Sequence, residues 1–86
     1  MEKHIVVGVH ITERVKHATK VQQVFTDFGC SIRTRIGLHE ADDKVCSPNG
    51  LIIIEMLDDY QAVDKMVSSL EDIEGVEVQK MVFDHP

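Results

Sequence analysis

The sequence predicts an α+β fold in which four strands form an antiparallel sheet and two helices cover one face of it. Apolar residues alternate in two segments, form a nearly continuous apolar run in a third and recur at helical spacing in two others. With a last strand after the second helix, the order is strand, helix, strand, strand, helix, strand. Right-handed crossovers and short connections then favour the ferredoxin-like βαββαβ sandwich, with strand order 4-1-3-2. Residues 1–86 are expected to form a single domain.

The first half begins with a strand followed by a helix. Side chains of residues 4–11 alternate between two faces. The apolar face carries Ile5, Val7, Val9 and Ile11. From Glu13 the spacing becomes that of an amphipathic helix, with Thr12 as its N-cap, Gly29 as a left-handed residue at its end and His17 on its exposed side.

A second strand is predicted over residues 30–39, with Arg33 and Arg35 on its solvent face. The opposite, buried face is predicted to carry Ile32, Thr34, Ile36 and Leu38. Residues 51–57 are almost continuously apolar, which is typical of a central strand covered on both faces.

The second half repeats the pattern of the first at an offset of 46 residues, as the spacing of Gly29 and Gly75 shows. Asp58 with Gln61 is a variant of the capping box that begins a helix, and the last strand is Val76–Phe83. The apolar stripe of the helix consists of Tyr60, Val63, Met66, Val67, Leu70 and Ile73.

One face of the predicted sheet has no helix over it. The first and third strands are central, so this face exposes an apolar centre beside Glu55. The apolar residues are Val6, Leu51, Ile53 and Leu57. Long side chains could cover the face in part, but an apolar patch of this kind is seldom left in water. We therefore expect a homo-oligomer, a dimer or tetramer, that forms through the open face.

Charge and composition exclude several classes of protein. The formal net charge of −6 and the pI of about 5.2 argue against direct binding of nucleic acid, which needs a clustered basic face. The apolar run before Thr12 is too short to span a membrane and has no cleavage signature, so a cytoplasmic protein is expected. Cys30 and Cys46 lack the C-x-x-C spacing of a redox pair or zinc ribbon.

Three short motifs resemble a known family. They are Arg33-Thr-Arg-Ile-Gly-Leu38, Gly50-Leu-Ile-Ile-Ile54 and Leu70-Glu-Asp-Ile-Glu-Gly-Val-Glu-Val78. With them the chain resembles small ACT-like proteins of the iron-only hydrogenase system regulator type, and more distantly the metal-sensing C-terminal domain of nickel-responsive repressors. The resemblance implies a regulatory module that associates through its sheet, binds a small effector at interfaces between protomers and performs no catalysis.

The segment between the second and third strands, GLHEADDKVCSPNG at residues 37–50, is the candidate site for an effector. Arginines on the second strand could clamp a carboxylate or phosphate while polar residues of the segment orient it. The predicted effector-binding residues are Arg33, Arg35, His39, Glu40 and Ser47.

The same segment could instead bind a transition metal ion through His39 and Cys46, because imidazole and thiolate suit zinc, nickel or copper. The remaining ligands stay open, and a second subunit could supply them. Candidates within the chain are Glu40, Asp42, Asp43, His4, His10 and Cys30. A plain solvated hairpin connection is a further alternative, since residues 47–50 have ordinary turn chemistry.

Together these observations predict an ACT-like, homo-oligomeric transcriptional or metabolic regulator that binds a small effector or metal ion around residues 39–47. An enzyme is not predicted, because no third group orients a His39 and Cys46 pair for nucleophilic catalysis. The alternatives are a metal sensor that uses these two residues, or a protein-interaction module without a small ligand.

Overall fold

A computed structural model of the chain describes residues 3–12, 14–38 and 50–84. Its elements in chain order are β1 (His4–Ile11), α1 (Arg14–Asp27), a 3₁₀ turn (Gly29–Ser31), β2 (Ile32–Leu38), β3 (Gly50–Met56), α2 (Tyr60–Glu71) and β4 (Val76–Phe83). This is the predicted order of strands and helices. Within the described ranges, no helix has the length and apolar character needed to cross a membrane.

The four strands form one antiparallel sheet in the order β2-β3-β1-β4. Val7 of β1 lies opposite Ile54 of β3, and Val9 of β1 lies opposite Val78 of β4. β1 and β3 are therefore the central strands. The predicted ferredoxin-like α+β fold and its strand order 4-1-3-2 are confirmed.

The hydrophobic core lies between the sheet and the two helices. It takes every second residue of β1 and β3 and one stripe from each helix, which places both helices on the same face of the sheet. The core residues are Ile5, Val7, Val9, Ile11, Val21, Phe25, Ile52, Ile54, Met56, Val63, Met66 and Leu70. Because each such side chain stabilises the fold by about 1.5–3 kcal/mol when fully buried, this layer accounts for most of the favourable free energy of folding.

Helix α2 begins one residue later than a capping role for Asp58 requires. Asp59 is the N-cap, and its Oδ1 accepts a hydrogen bond from the backbone N of Ala62 at 3.2 Å. Asp58 instead accepts a hydrogen bond through Oδ2 from the backbone N of Lys3, also at 3.2 Å. The predicted capping box of Asp58 and Gln61 is wrong, because the Asp58 carboxylate ties the start of β1 to this turn.

Helix α1 does not end at a left-handed glycine, as the sequence predicts. Gly29 has no positive φ and begins the 3₁₀ turn. The backbone N of Ser31 donates to the carbonyl of Phe28 at 2.9 Å, and the Ser31 carbonyl accepts from the N of Leu57 at 2.8 Å. Hydrogen bonds of this turn thus complete the end of the helix and join it to the end of β3, with no need for a left-handed residue.

Gly75, in the turn between α2 and β4, is the glycine with a left-handed backbone, at φ 83°. Its carbonyl accepts a hydrogen bond from the N of Thr12 at 2.7 Å. A Cβ at this position would lie 3.0 Å from the His17 ring and 3.2 Å from the Thr12 carbonyl oxygen. His17 is 8% exposed, so its predicted place on the wet side of α1 is wrong, because the ring packs against this turn.

Substituting Gly75 by alanine is expected to lower the free energy of unfolding by about 1–3 kcal/mol, because a left-handed backbone costs an L-residue about 1–2 kcal/mol and the new Cβ displaces His17. Urea denaturation measures the change. Gly29→Ala is the matched control: φ is not positive there and no atom lies within 4 Å of a Cβ, so a change within about 0.5 kcal/mol is expected. Equal losses of unfolding free energy in the two variants would contradict the assignment of a left-handed backbone to Gly75 alone of these two glycines.

Candidate functional site

The open face of the sheet, opposite the helices, is the surface on which the candidate site lies. Residues directly opposite each other in antiparallel strands share a face, so the pairing register assigns side chains to it. The open face carries His4, Val6, Gly8 and His10 on β1, Thr34 and Ile36 on β2, Leu51, Ile53 and Glu55 on β3, and Glu77, Gln79, Met81 and Phe83 on β4.

Large apolar side chains are exposed on this face. Ile36 is 51% exposed, Met81 54% and Phe83 49%, and Leu51 is exposed as well. Val6 and Ile53 are half-buried between them, while Leu57 follows the last residue of β3 and is exposed. The prediction of an apolar sheet centre without a helix over it is therefore confirmed.

A shallow depression of about 310 Å³ lies in the middle of the open face. It is lined by Val6, Gly8, His10, Leu51, Ile53, Glu77, Gln79 and Met81. Gly8 contributes no side chain to it, although a Cβ would fit there with ordinary contacts of 3.9 Å to Ile53 Cδ1 and the Gln79 carbonyl oxygen. Sequence reasoning did not predict the depression, although an isolated glycine inside a strand is a signal for one.

Glu55 is the polar centre of the β3 side of the open face. Its Oε1 accepts a hydrogen bond from Thr34 Oγ1 at 3.1 Å, and its Oε2 lies 3.7 Å from Arg33 Nη1. Both residues reach one carboxylate because the register shifts between Ile32 and Thr34, so that two residues of β2 oppose Glu55 alone.

This β-bulge separates the two arginines that were predicted to clamp one ligand. Arg35 lies opposite Ile54, a core residue, on the helix side of the sheet. Its guanidinium lies 4.8 Å from the Phe25 ring centroid, and Nη2 donates to Gln22 Oε1 at 2.6 Å. The predicted shared face of Arg33 and Arg35 is wrong, because one extra residue shifts the alternation of side chains by one position.

The same shift in register reverses the predicted faces of other β2 residues. Thr34 and Ile36, predicted to be buried, lie on the open face, opposite Glu55 and Ile53. Arg33 stands near the start of β2, and Leu38 lies five positions after it, about 17 Å along the strand. Of the predicted effector-binding residues that the structure describes, Arg33 is thus the one on the open face, far from the end of β2 that leads to residue 39.

The other predicted site residues lie outside the described ranges. These are His39, Glu40, Cys46 and Ser47, together with the alternative ligands Asp42 and Asp43. Within residues 3–12, 14–38 and 50–84, no three His, Cys, Asp or Glu side chains are grouped as metal ligands. His4 and His10 stand at opposite ends of β1, about 20 Å apart along the strand.

Two lysines of the strand region contact the helix side and do not reach the open face. Lys3 Nζ lies 3.2 Å from Asp84 Oδ1 and 4.7 Å from the Tyr60 ring centroid. Hydrogen bonding to Tyr60, and then to Asp84, raises the pKa of Lys3 above its ordinary value. Lys80 Nζ lies 3.2 Å from Asp64 Oδ1 of α2. Of the lysines and arginines on the described strands, Arg33 is therefore the one that lies on the open face.

Comparisons with known proteins identify the fold. No family model matches the chain, and no curated protein matches its sequence. Uncharacterized protein TM1266 from Thermotoga maritima is similar in structure, with TM-score 0.81 and 17% identity over 98% of this chain and 100% of that one. The ACT domain from GTP pyrophosphokinase of Chlorobium tepidum gives TM-score 0.67 and 13% identity over 94% of this chain and 100% of that one.

A third similar structure is CPII, a nitrogen regulatory PII-like protein from Thiomonas intermedia K12 bound to ADP, AMP and bicarbonate. Its TM-score is 0.51, with 13% identity over 98% of this chain and 96% of that one. At identities this low the likenesses show the fold alone, which is the ferredoxin-like arrangement of ACT domains.

The assignment of the two arginines to opposite faces is tested by coupling to Gln22. A double-mutant cycle of Arg35→Met with Gln22→Ala is expected to give a coupling energy of about 0.5–1 kcal/mol in urea denaturation, because the hydrogen bond joins these two side chains. The matched cycle of Arg33→Met with Gln22→Ala is expected to give about zero. Coupling of Gln22 to Arg33 instead would place Arg33 on the helix side of the sheet and would contradict the position of the bulge.

Proposed function

We propose that this protein is a small cytoplasmic regulatory domain that works as a homo-oligomer through the open face of its sheet and responds to a small effector. The exposed apolar centre of that face is the observation that supports this function. A patch rimmed by polar groups and centred on apolar residues is typical of an interaction surface. A second copy of the same chain is its simplest cover, since two-fold homodimers are the commonest soluble oligomers.

The size of the open face is sufficient for such an interface. Strands of seven and eight residues extend about 25 Å, and four strands span about 19 Å, so the face covers about 480 Å². Two faces in contact would remove close to 1,000 Å² of surface from water, which is less than stable interfaces bury and is typical of weak, transient ones. The face therefore supports a reversible dimer better than a permanent one.

The regulatory part of the proposal is supported by the similar structures. One is an ACT domain taken from a larger enzyme, and another is a regulatory protein bound to nucleotides and bicarbonate. The motif resemblance to iron-only hydrogenase system regulators points the same way. The proposal assigns no catalytic activity to the chain.

The proposed effector site is the predicted segment at residues 39–47, with His39, Glu40 and Ser47 as its binding residues. The arginine pair is removed from this set, because Arg35 lies on the other face and Arg33 near the far end of β2. An effector that binds the assembled form more tightly than the single subunit must favour assembly, and through it can control contact with a partner.

Self-association is tested by Met81→Lys, which places a charge on an apolar residue of the open face that is 54% exposed. We expect sedimentation equilibrium to show a dimer or tetramer for the parent protein and a shift of the variant toward monomer, with an unchanged circular dichroism spectrum. Gln61→Lys, at an exposed position on α2, is the matched control and should behave as the parent. A folded parent that is monomeric at about 100 μM would contradict the proposal.

Effector binding is tested by thermal shift with adenine nucleotides, bicarbonate and the divalent ions of zinc, nickel and copper. A ligand at 100 times its Kd adds about 2.7 kcal/mol to the stability of the native state, so at least one is expected to raise the Tm by several degrees. His39→Ala should remove the shift, whereas His4→Ala, at the other end of the sheet from Gly50, should retain it. If no ligand of the panel changes the Tm, the result contradicts effector binding and favours a protein-interaction module without a small ligand.

A further inference from the structure

We propose that two copies of this chain pair along the outer edge of β4, antiparallel to each other and with Gln79 on the two-fold axis. The pairing joins two four-stranded sheets into one continuous sheet. It uses a different surface from the open face and requires no contact there, so it goes beyond the proposed function. Where both contacts form, the assembly is a tetramer.

The two edge strands of the sheet differ in how well they can pair with a further strand. β2 and β4 are the edges of the described sheet. β2 is interrupted by its bulge between Ile32 and Thr34, and a bulge is a feature that protects an edge from pairing. β4 keeps one unbroken register with β1 from Val76 to Phe83 and contains no proline. The edge of β4 can therefore accept a strand over its whole length.

Two hydrogen bonds determine which backbone groups of β4 point away from β1. The Gly75 carbonyl accepts from the N of Thr12 at 2.7 Å, so it points toward β1. Backbone groups of successive strand residues point to opposite sides, which turns Val76 outward, and its N donates to the Ile73 carbonyl of the turn at 3.2 Å. Every second residue after Val76 then also presents its N–H and C=O on the outer edge. These residues are Val78, Lys80 and Val82.

The outward groups of these three residues have no backbone partner within residues 3–12, 14–38 and 50–84. A row of this kind is a template for pairing with another strand. A lysine often protects an edge strand, but the Nζ of Lys80 lies 3.2 Å from Asp64 Oδ1 on the helix side of the sheet. Lys80 therefore leaves the backbone of the edge accessible to a second strand.

Two-fold symmetry restricts the register of the pairing. Side chains directly opposite each other must share a face, and the residues with outward groups must form the hydrogen-bonded pairs. With Gln79 on the axis, Val78 pairs with Lys80 of the partner subunit, and Val76 pairs with Val82 of the partner subunit. The N–H groups of Val78, Lys80 and Val82 then all donate to carbonyls of the partner strand.

The neighbouring registers are less favourable. With Lys80 on the axis, as many backbone hydrogen bonds form, but Lys80 lies opposite Lys80 of the partner subunit. Each ammonium keeps its contact with Asp64 in either register, so the difference is the neighbour that pairing adds, and like charges directly opposite each other are destabilising. With Val78 on the axis, Val82 lies opposite Glu74 of the partner subunit, which precedes the strand.

The side chains of β4 suit the register with Gln79 on the axis. On the helix side, Val76 lies opposite Val82 of the partner subunit, and both are only half-buried in the single chain. A β-branched pair of this kind stabilises antiparallel strands. On the open face, Gln79 faces its own copy, and because a glutamine amide both donates and accepts, the two amides can hydrogen-bond to each other.

Disulfide formation tests the pairing. Gln79 and its copy would form a non-hydrogen-bonded pair with Cα atoms about 4.5 Å apart, within the range of a disulfide. We expect Gln79→Cys, in a chain that also carries Cys30→Ser and Cys46→Ser, to link more than about half of its molecules as dimers in glutathione buffer. Met81→Cys is the matched control, because its two copies would lie about 13 Å apart along the strands, and it should link fewer than about a tenth.

A mixture of two variants tests the register. Glu77 lies opposite Met81 of the partner subunit when Gln79 is on the axis, so Glu77→Cys mixed with Met81→Cys should form a mixed disulfide that neither forms with itself. Gln79→Cys that links no better than Met81→Cys would overturn the edge pairing. A mixed disulfide of Gln79→Cys with Met81→Cys, in place of the one with Glu77→Cys, would overturn the stated register.

Met81→Lys separates this inference from the proposed function. In the edge pairing the new lysine lies opposite Glu77 of the partner subunit, a favourable pair, whereas in the open-face contact it introduces a charge among apolar residues. Linking of Gln79→Cys is expected to persist in a chain that carries Met81→Lys. Loss of the link together with self-association would assign it to the open face and overturn the edge pairing. A persistent link with unchanged sedimentation of Met81→Lys would contradict the proposed function alone.

Discussion

The placement of both helices on one face of the sheet is the constraint on which the rest of the structure depends. Right-handed crossovers require it in a βαββαβ chain, and it divides the apolar residues of the central strands into two sets. Ile5 and Ile54 are buried under the helices, whereas Val6 and Ile53 have no cover from the described part of the chain. A second copy of the protein would cover the face of the sheet that the helices leave exposed.

One extra residue in β2 determines the chemistry of that face. Without the bulge Arg33 and Arg35 would share a side, as alternation predicts, and a bidentate anion site would be the natural reading. With the bulge Arg35 stabilises the packing of α1 through Phe25 and Gln22, and Arg33 contacts Glu55 on the open face. The open face therefore carries charged groups of both signs beside its apolar centre, which suits a specific protein contact better than the binding of a small anion.

Patterns of period two and 3.6 predicted the fold because they reflect burial, which decides where β1, β3 and α2 lie. Features that depend on a choice between neighbouring residues were not predictable. Asp58 and Asp59 are chemically equal caps, and in the structure Asp58 accepts a tertiary hydrogen bond from Lys3 while Asp59 caps the helix. Likewise the burial of His17 depends on the Gly75 turn, a contact between distant parts of the chain.

The central claim, that self-association covers the open face, is tested most directly by methyl NMR over a dilution series. We expect the methyl signals of Ile36 and Ile53 to shift with protein concentration, because they leave water when the dimer forms, while those of Ile5 and Ile54 in the core stay constant. Signals of all four residues that stay constant in a protein that sediments as a monomer up to about 100 μM would contradict the account.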